Sequence, residues 1–179
     1  MKTWTVSEIA QLADMRVALE GTVARRAAET LDSDQIASLR VIAVATDEMD
    51  VKFESPVDSA HVENGSIFQY DLHFHRALAR ETGLMLIARE INRLRVLQAT
   101  CRLMVRPALP TAVSHQQILD AIETHDGDVA EQAMRLHIKS NTDHYLPKLR
   151  ERFGDGPVVW NDAKRGNTDA DVQEDNSSD

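Results

Sequence analysis

Residues 70–83, YDLHFHRALARETG, decide the fold. The stretch is built like a helix with an apolar face, and Gly83 is a good residue to end one. Yet it carries Asp71, His73 and His75 within five residues. Asp71 and His75 are four apart, so on a helix they are stacked neighbours on one face. His73, two residues on from Asp71, faces elsewhere. Taken alone, Asp-x-x-x-His describes an exposed i,i+4 pair as well as it describes two ligands of a metal ion.

Outward from this segment the chain reads as helix after helix. Ser7 is a candidate cap for a first helix running to about Thr30, with an apolar stripe of Ile9, Leu12, Leu19, Val23 and Ala27 near period 3.6. The stripe needs a member at position 16, and that member is Arg16. Either Arg16 points inward, or Met15 fills the stripe and Arg16 snorkels to water. A second helix, capped by Asp32 or Ser33, offers Ile36, Leu39, Ile42 and Ala43 to the core. KFESPVDSAHVENGS follows as a loop or short irregular helix, with Pro56 and Asn64-Gly65 as breakers. The third helix holds the opening stretch. The fourth runs from about Leu84 to Val105 and is stopped by Pro107, the start of a connector that also contains Pro110. Ser114 caps a fifth helix and Asp128 a sixth, the two joined by the turn at Asp126. Pro147 is expected to kink the sixth or end it early. No segment alternates with period two and no repeat is visible. The expectation is an all-α, antiparallel bundle of about six to seven helices, residues 1–153, followed by an acidic, disordered tail over 154–179.

Composition agrees. The 179 residues are enough for one domain with a core, hydrophobic residues make up 42% and aromatics 4%, and the helix formers Ala, Leu, Arg and Glu are abundant. The net charge is −9; from Gly154 onward seven acids face Lys164 and Arg165, leaving −4 on the body. Neither part is the electrostatic footprint of a nucleic-acid binder. No apolar run is long enough for a membrane span, and a single cysteine, Cys101, excludes an internal disulfide and makes a cytoplasmic location the default.

Two more histidines can join the first pair. His115 lies eleven residues before Asp126 and His137 eleven after it. In an antiparallel hairpin, equal distance from the turn means equal height, roughly 16 Å at the helical rise. If the third helix packs against this hairpin, Asp71, His75, His115 and His137 form an N₃O set suited to Zn²⁺, Ni²⁺, Mn²⁺ or Fe²⁺. His61, His125 and His144 read as solvated, and Cys101 as a buried small hydrophobe.

RVALEGTVARRAAE, YDLHFHRALARETG and SHQQILDAIETHDGDVAEQAMRLHI, in that order, resemble the FCD domain, the effector-binding half of FadR-type GntR transcriptional regulators. The motifs that match are Arg-x-x-Leu-Glu, Asp-x-x-Phe-His, and His-x-x-Ile-Leu-x-Ala-Ile with a later His-Ile, covering about Ala13 to Asn141. The resemblance implies a helical bundle around one divalent transition metal, zinc first, with Asp71, His75, His115 and His137 as its ligands. It also implies a homodimer and a small organic or sugar acid as effector, held by the metal and by Arg16. Asn141, one turn after His137, can hydrogen-bond the same ligand. Arg93 and Arg95 could reach such a pocket, but a solvated helix face is the expectation for both. Two departures stand out. Few residues precede the first helix where the family carries a winged helix-turn-helix, so this chain alone is not expected to bind DNA in the family's manner. Leu84 replaces a frequent Asn. The expected function is effector binding without catalysis. The alternatives are a free-standing metalloenzyme acting on a small hydroxy or sugar acid, with Glu20 as a candidate base or an ion-pair partner of Arg16, and a module that dimerises with an intact regulator and blocks it.

Overall fold

The computed structural model describes residues 4–54, 66–103 and 112–158. Most of the expected loop over 52–66, of the proline connector over 106–114 and of the tail over 154–179 lies outside them; within them, the second helix runs on through Glu54 and Pro157–Val158 of the expected tail pair with Trp4–Thr5. Six helices follow in order, α1 (Val6–Thr30), α2 (Ser33–Glu54), α3 (Ser66–Glu81), α4 (Met85–Leu103), α5 (His115–Glu123) and α6 (Gly127–Phe153). The chain is all-α, as its periodicity predicts. The exception is a two-residue antiparallel bridge between β1 (Trp4–Thr5) and β2 (Pro157–Val158), too short for any alternation to reveal.

Helix ends depart from expectation where a neighbouring residue offers the better cap. Thr5, not Ser7, opens α1: its hydroxyl accepts from Glu8 N–H, and the Glu8 carboxylate accepts from Thr5 N–H at 2.8 Å. That reciprocal box needs Glu or Gln three residues on, which Thr5 has and Ser7 lacks. Asp32 caps α2, accepting from Gln35 N–H. Asp126, not Asp128, caps α6, accepting from the N–H groups of Asp128 and Val129. The Asp128 carboxylate goes instead to Arg25. Ser114 caps α5 as expected, and Gly83, with φ of 71°, turns α3 into α4. Pro147 does not end α6, which continues to Phe153. Pro147 and Asp143, whose carbonyl loses its amide partner, are both exposed, so water can satisfy what the proline cannot. Tyr145 and Leu149, on the other face, stay packed against Val6 and Ile9.

α1 is the central stave. It runs antiparallel to α6, its most extensive neighbour, and also meets α3, α4 and α5. Val23, Ala24, Ala27 and Ala28 enter the main core with Ile36, Leu39, Phe74, Leu78, Ile91, Leu119 and Met134. The small residues on α1 let other helices approach closely. Arg16 takes the inward reading, 6% exposed, while Met15 points to solvent. Glu20 is buried with it, so the middle of the most central helix carries two charges into the interior.

Candidate metal centre

Asp71 and His75 on α3, His115 at the first position of α5 and His137 midway along α6 come together in that interior. All four are buried, and one ligating atom from each lies within 4.8 Å of the others. His115 and His137 face each other across the α5–α6 hairpin with ring centroids 4.6 Å apart, as their equal distance from Asp126 predicts. His75 sits 5.4 Å from the first ring and 5.3 Å from the second. Phe74, fully buried, packs edge-on against His115 at 4.8 Å and closes the apolar side.

Each imidazole is approached at Nδ1 by an oxygen outside the cluster. His137 Nδ1 is 2.7 Å from the Val113 carbonyl, which can only accept, so Nδ1 donates and Nε2 carries the lone pair. His115 Nδ1 is 2.7 Å from Asp47 Oδ1, and His75 Nδ1 is 2.5 Å from Glu20 Oε2. The Nε2 atoms of His115 and His75 face Asp71 Oδ1 instead, at 3.3 and 3.7 Å. Neither ring nitrogen of His75 makes a hydrogen bond of good geometry among the described residues, so Nδ1 meets the Glu20 carboxylate as a close contact and Nε2 is left facing the cluster. Carboxylate or carbonyl on Nδ1 and an inward Nε2 is the arrangement that orients imidazoles for a cation.

The electrostatics point the same way. Burial pushes His75 down to about 4, a shift that Arg95 reinforces and that Glu20 and Asp71 only partly oppose. Burial, with His115 and His75 beside it, holds His137 well below the usual histidine range. Both rings are therefore neutral near pH 7, the form that binds metal. Burial raises Asp47, but its hydrogen bonds from His115 and Gln116 outweigh that and bring it to about 2. Three imidazoles and a carboxylate in a closed, buried cluster fit a divalent transition ion.

A second layer of charge surrounds the cluster. Arg16 Nε lies 2.5 Å from Glu20 Oε1, so the expected i,i+4 pair forms, but inside the protein rather than on its surface. Arg95 corrects the expectation of a solvated face: it is 4% exposed, contacts Asp71 closely, and reaches Glu20 Oε2 at 3.2 Å. Arg93, two residues earlier, is exposed. A signal for Arg95 was available, since it lies twelve residues after Gly83 and Asp71 lies twelve before, the same symmetry that pairs the two hairpin histidines. Asp47 had no such signal. It also accepts the backbone N–H groups of His115 and Gln116 at 2.9 and 3.0 Å, capping α5 from another helix. Asn141 is half-buried, one turn beyond His137. His73 and His125 are exposed, and His144 is half-buried with Nε2 3.0 Å from Lys148 Nζ.

The chain is similar to known proteins. The chain is 29% identical over 142 residues to the HTH-type transcriptional repressor NanR of Cronobacter sakazakii (strain ATCC BAA-894), a match covering 74% of this chain and 49% of NanR. It thus spans about half the length of that curated relative. Streptococcus agalactiae GntR shares the fold with a TM-score of 0.50, at 20% identity, over 76% of this chain and 58% of that one. The FCD domain model matches residues 11–140, which include Arg16, Asp71, His75, His115 and His137, and the chain belongs to the FCD domain family.

Proposed function

We propose that this chain is the effector-binding part of a GntR-type transcriptional regulator, in which Asp71, His75, His115 and His137 hold one divalent transition metal and the metal holds a small carboxylate. The outward position of Nδ1 against an oxygen on all three histidines carries the reading, because a merely packed histidine cluster has no need to turn the Nε2 atoms of His75 and His115 toward one oxygen of Asp71. Zinc is the first candidate, with nickel, manganese or iron as alternatives, since N₃O donor sets suit all of them. When bound, the ion supplies a Lewis-acidic point that attracts an anionic oxygen.

Charge balance supports an acidic guest. Arg16 and Arg95 are matched by Glu20 and Asp71. A divalent ion adds two positive charges, of which Asp47 offsets one. A carboxylate offsets the other, and a buried site left with net charge is costly. Arg16 carries a planar fork of N–H donors, the shape that suits a carboxylate, and lies buried beside the cluster with its Nε on Glu20 Oε1. In this reading Asn141, half-buried one turn beyond His137, hydrogen-bonds the same guest.

The listener in this scheme is DNA, through a second domain. A relative about twice as long as the matched region carries a helix-turn-helix name, and the acidic body here is unsuited to phosphate. Effector binding would bias two arrangements of a homodimer, provided the acid binds one more tightly than the other. Native protein should carry about one transition ion per chain by elemental analysis. Small hydroxy and sugar acids should raise its melting temperature only while the metal is present, in keeping with binding to the folded state alone. Turnover of the acid would favour the metalloenzyme reading, and protein that never retains a metal would remove the proposal.

A further inference from the structure

The two oxygens of Asp71 have different neighbours. Oδ1 lies 3.3 Å from His115 Nε2 and 3.7 Å from His75 Nε2, among the nitrogens that converge on the cluster. Oδ2 is held in close contact by Arg95 Nη2. Arg95 Nη1 lies 3.2 Å from Glu20 Oε2, the oxygen that also sits 2.5 Å from His75 Nδ1. One guanidinium from α4 therefore spans the carboxylate of a ligand and the carboxylate that orients another ligand. At 4% exposure it has little water to turn into. The planar fork fixes both contacts together.

Resting on the metal-site reading above, we propose that Arg95 is a positioning residue that restricts Asp71 to a single ligating oxygen, Oδ1, and thereby keeps a coordination position open for the effector. A carboxylate can hold a cation through one oxygen or two. Three imidazoles and one oxygen make four protein donors, and an ion taking roughly six then has two positions left, the number that a hydroxy acid fills with its carboxylate and hydroxyl. A second oxygen from Asp71 would take one of them. To supply it, Oδ2 would have to leave Arg95, which would keep only the Glu20 carboxylate to offset its charge beside Arg16, a like charge. The site thus spends a cation on keeping its own acid from closing it.

The full chain loaded with Co²⁺ tests this, because the visible bands of Co²⁺ report donor number. In Arg95→Gln, Asp71 is released. Co²⁺ affinity should hold or rise, and the bands should already differ from wild type before any other ligand is added. Azide, a small anionic probe of open positions, should perturb wild type and need about tenfold more to perturb the variant, the scale of one lost interaction. An ordinary supporting role predicts the opposite pattern, with metal affinity down about 10–100-fold and azide binding unchanged. That pattern, or a variant identical to wild type in bands and azide response, overturns the proposal. X-ray absorption on wild-type Co²⁺ protein decides without any variant. A carboxylate carbon close behind the metal, the mark of two-oxygen binding, overturns the proposal, and its absence supports it. A wild-type chain that binds no Co²⁺ would sink the metal reading itself, a failure distinct from the others.

Discussion

Glu20 is engaged through both of its carboxylate oxygens. Its Oε1 is 2.5 Å from Arg16 Nε, its Oε2 is 2.5 Å from His75 Nδ1 and 3.2 Å from Arg95 Nη1, and it is 1% exposed. Burial would raise its carboxyl, but the two guanidiniums and His75 hold it well below the usual carboxylate range. Such a group is stabilising only as long as its partners keep it charged. Glu20→Gln removes the charge at nearly constant volume and leaves Arg16 and Arg95 to face each other with one carboxylate between them. Breaking a buried pair on one side costs about 3–5 kcal/mol, so the variant should unfold at markedly lower urea than wild type. An unchanged midpoint would mean that the network is far better hydrated than its burial indicates. The sequence showed Arg16 and Glu20 as neighbours on one helix face. It did not show that they face inward, because an i,i+4 pair of opposite charges has the same spacing on either side of a helix.

Helices place these residues by their ends as much as by their faces. Asp47 sits near the end of α2 and receives the first N–H groups of α5, so one carboxylate both caps a helix and holds the ring of its first residue, His115. A carboxylate suits a helix N-terminus, where unpaired N–H groups and the dipole both favour it. Asp47→Ala should cost about 1 kcal/mol of stability from the lost cap. The same change should weaken divalent-metal binding by about 10–100-fold, because the His115 ring loses its outer partner. Denaturant titration and chelator competition read the two effects separately, and a variant that lost stability but kept its metal affinity would show that Asp47 serves only the helix. Local caps were legible where both halves of the motif sit in one stretch, as at Ser114 and Gln117. Asp126 displaced Asp128 as the cap of α6 because Arg25, distant in sequence, takes the Asp128 carboxylate. Asp47 was invisible for the same reason: its partners lie 68 and 69 residues away.

At the scale of the whole molecule, the buried imidazoles tie stability to pH. His75 has a folded value of about 4 against an ordinary 6.5, and His137 is also depressed. Above pH 6.5 both states are neutral and the linkage is silent. Between 6.5 and 4 the unfolded chain takes up protons that the folded chain refuses, so stability falls as pH falls, and the loss from His75 levels off below about 4. In chelator-treated protein the urea midpoint should drop between pH 7 and pH 5, before the depressed acids Glu20 and Asp47 contribute. A midpoint that stayed level across that window would contradict neutral burial of both rings. Among the described residues no helix is long and apolar enough to cross a membrane. Periodicity of 3.6, caps and breakers were enough to establish an all-α chain of about this helix number, since each is a local property of a few consecutive residues. The hairpin turn at Asp126 was enough to pair His115 with His137 in height, because a short turn leaves two helices little choice but to run side by side; the same symmetry about Gly83 relates Asp71 to Arg95, a residue expected on a solvated face. Only the tertiary structure decided that α3 lies against the α5–α6 hairpin, that Arg95 turns inward, and that Glu20, Asp47 and the Val113 carbonyl hold the three rings. Those contacts join helices with no short turn between them, and what selects them is the packing of a shared core, which no single stretch of the chain records.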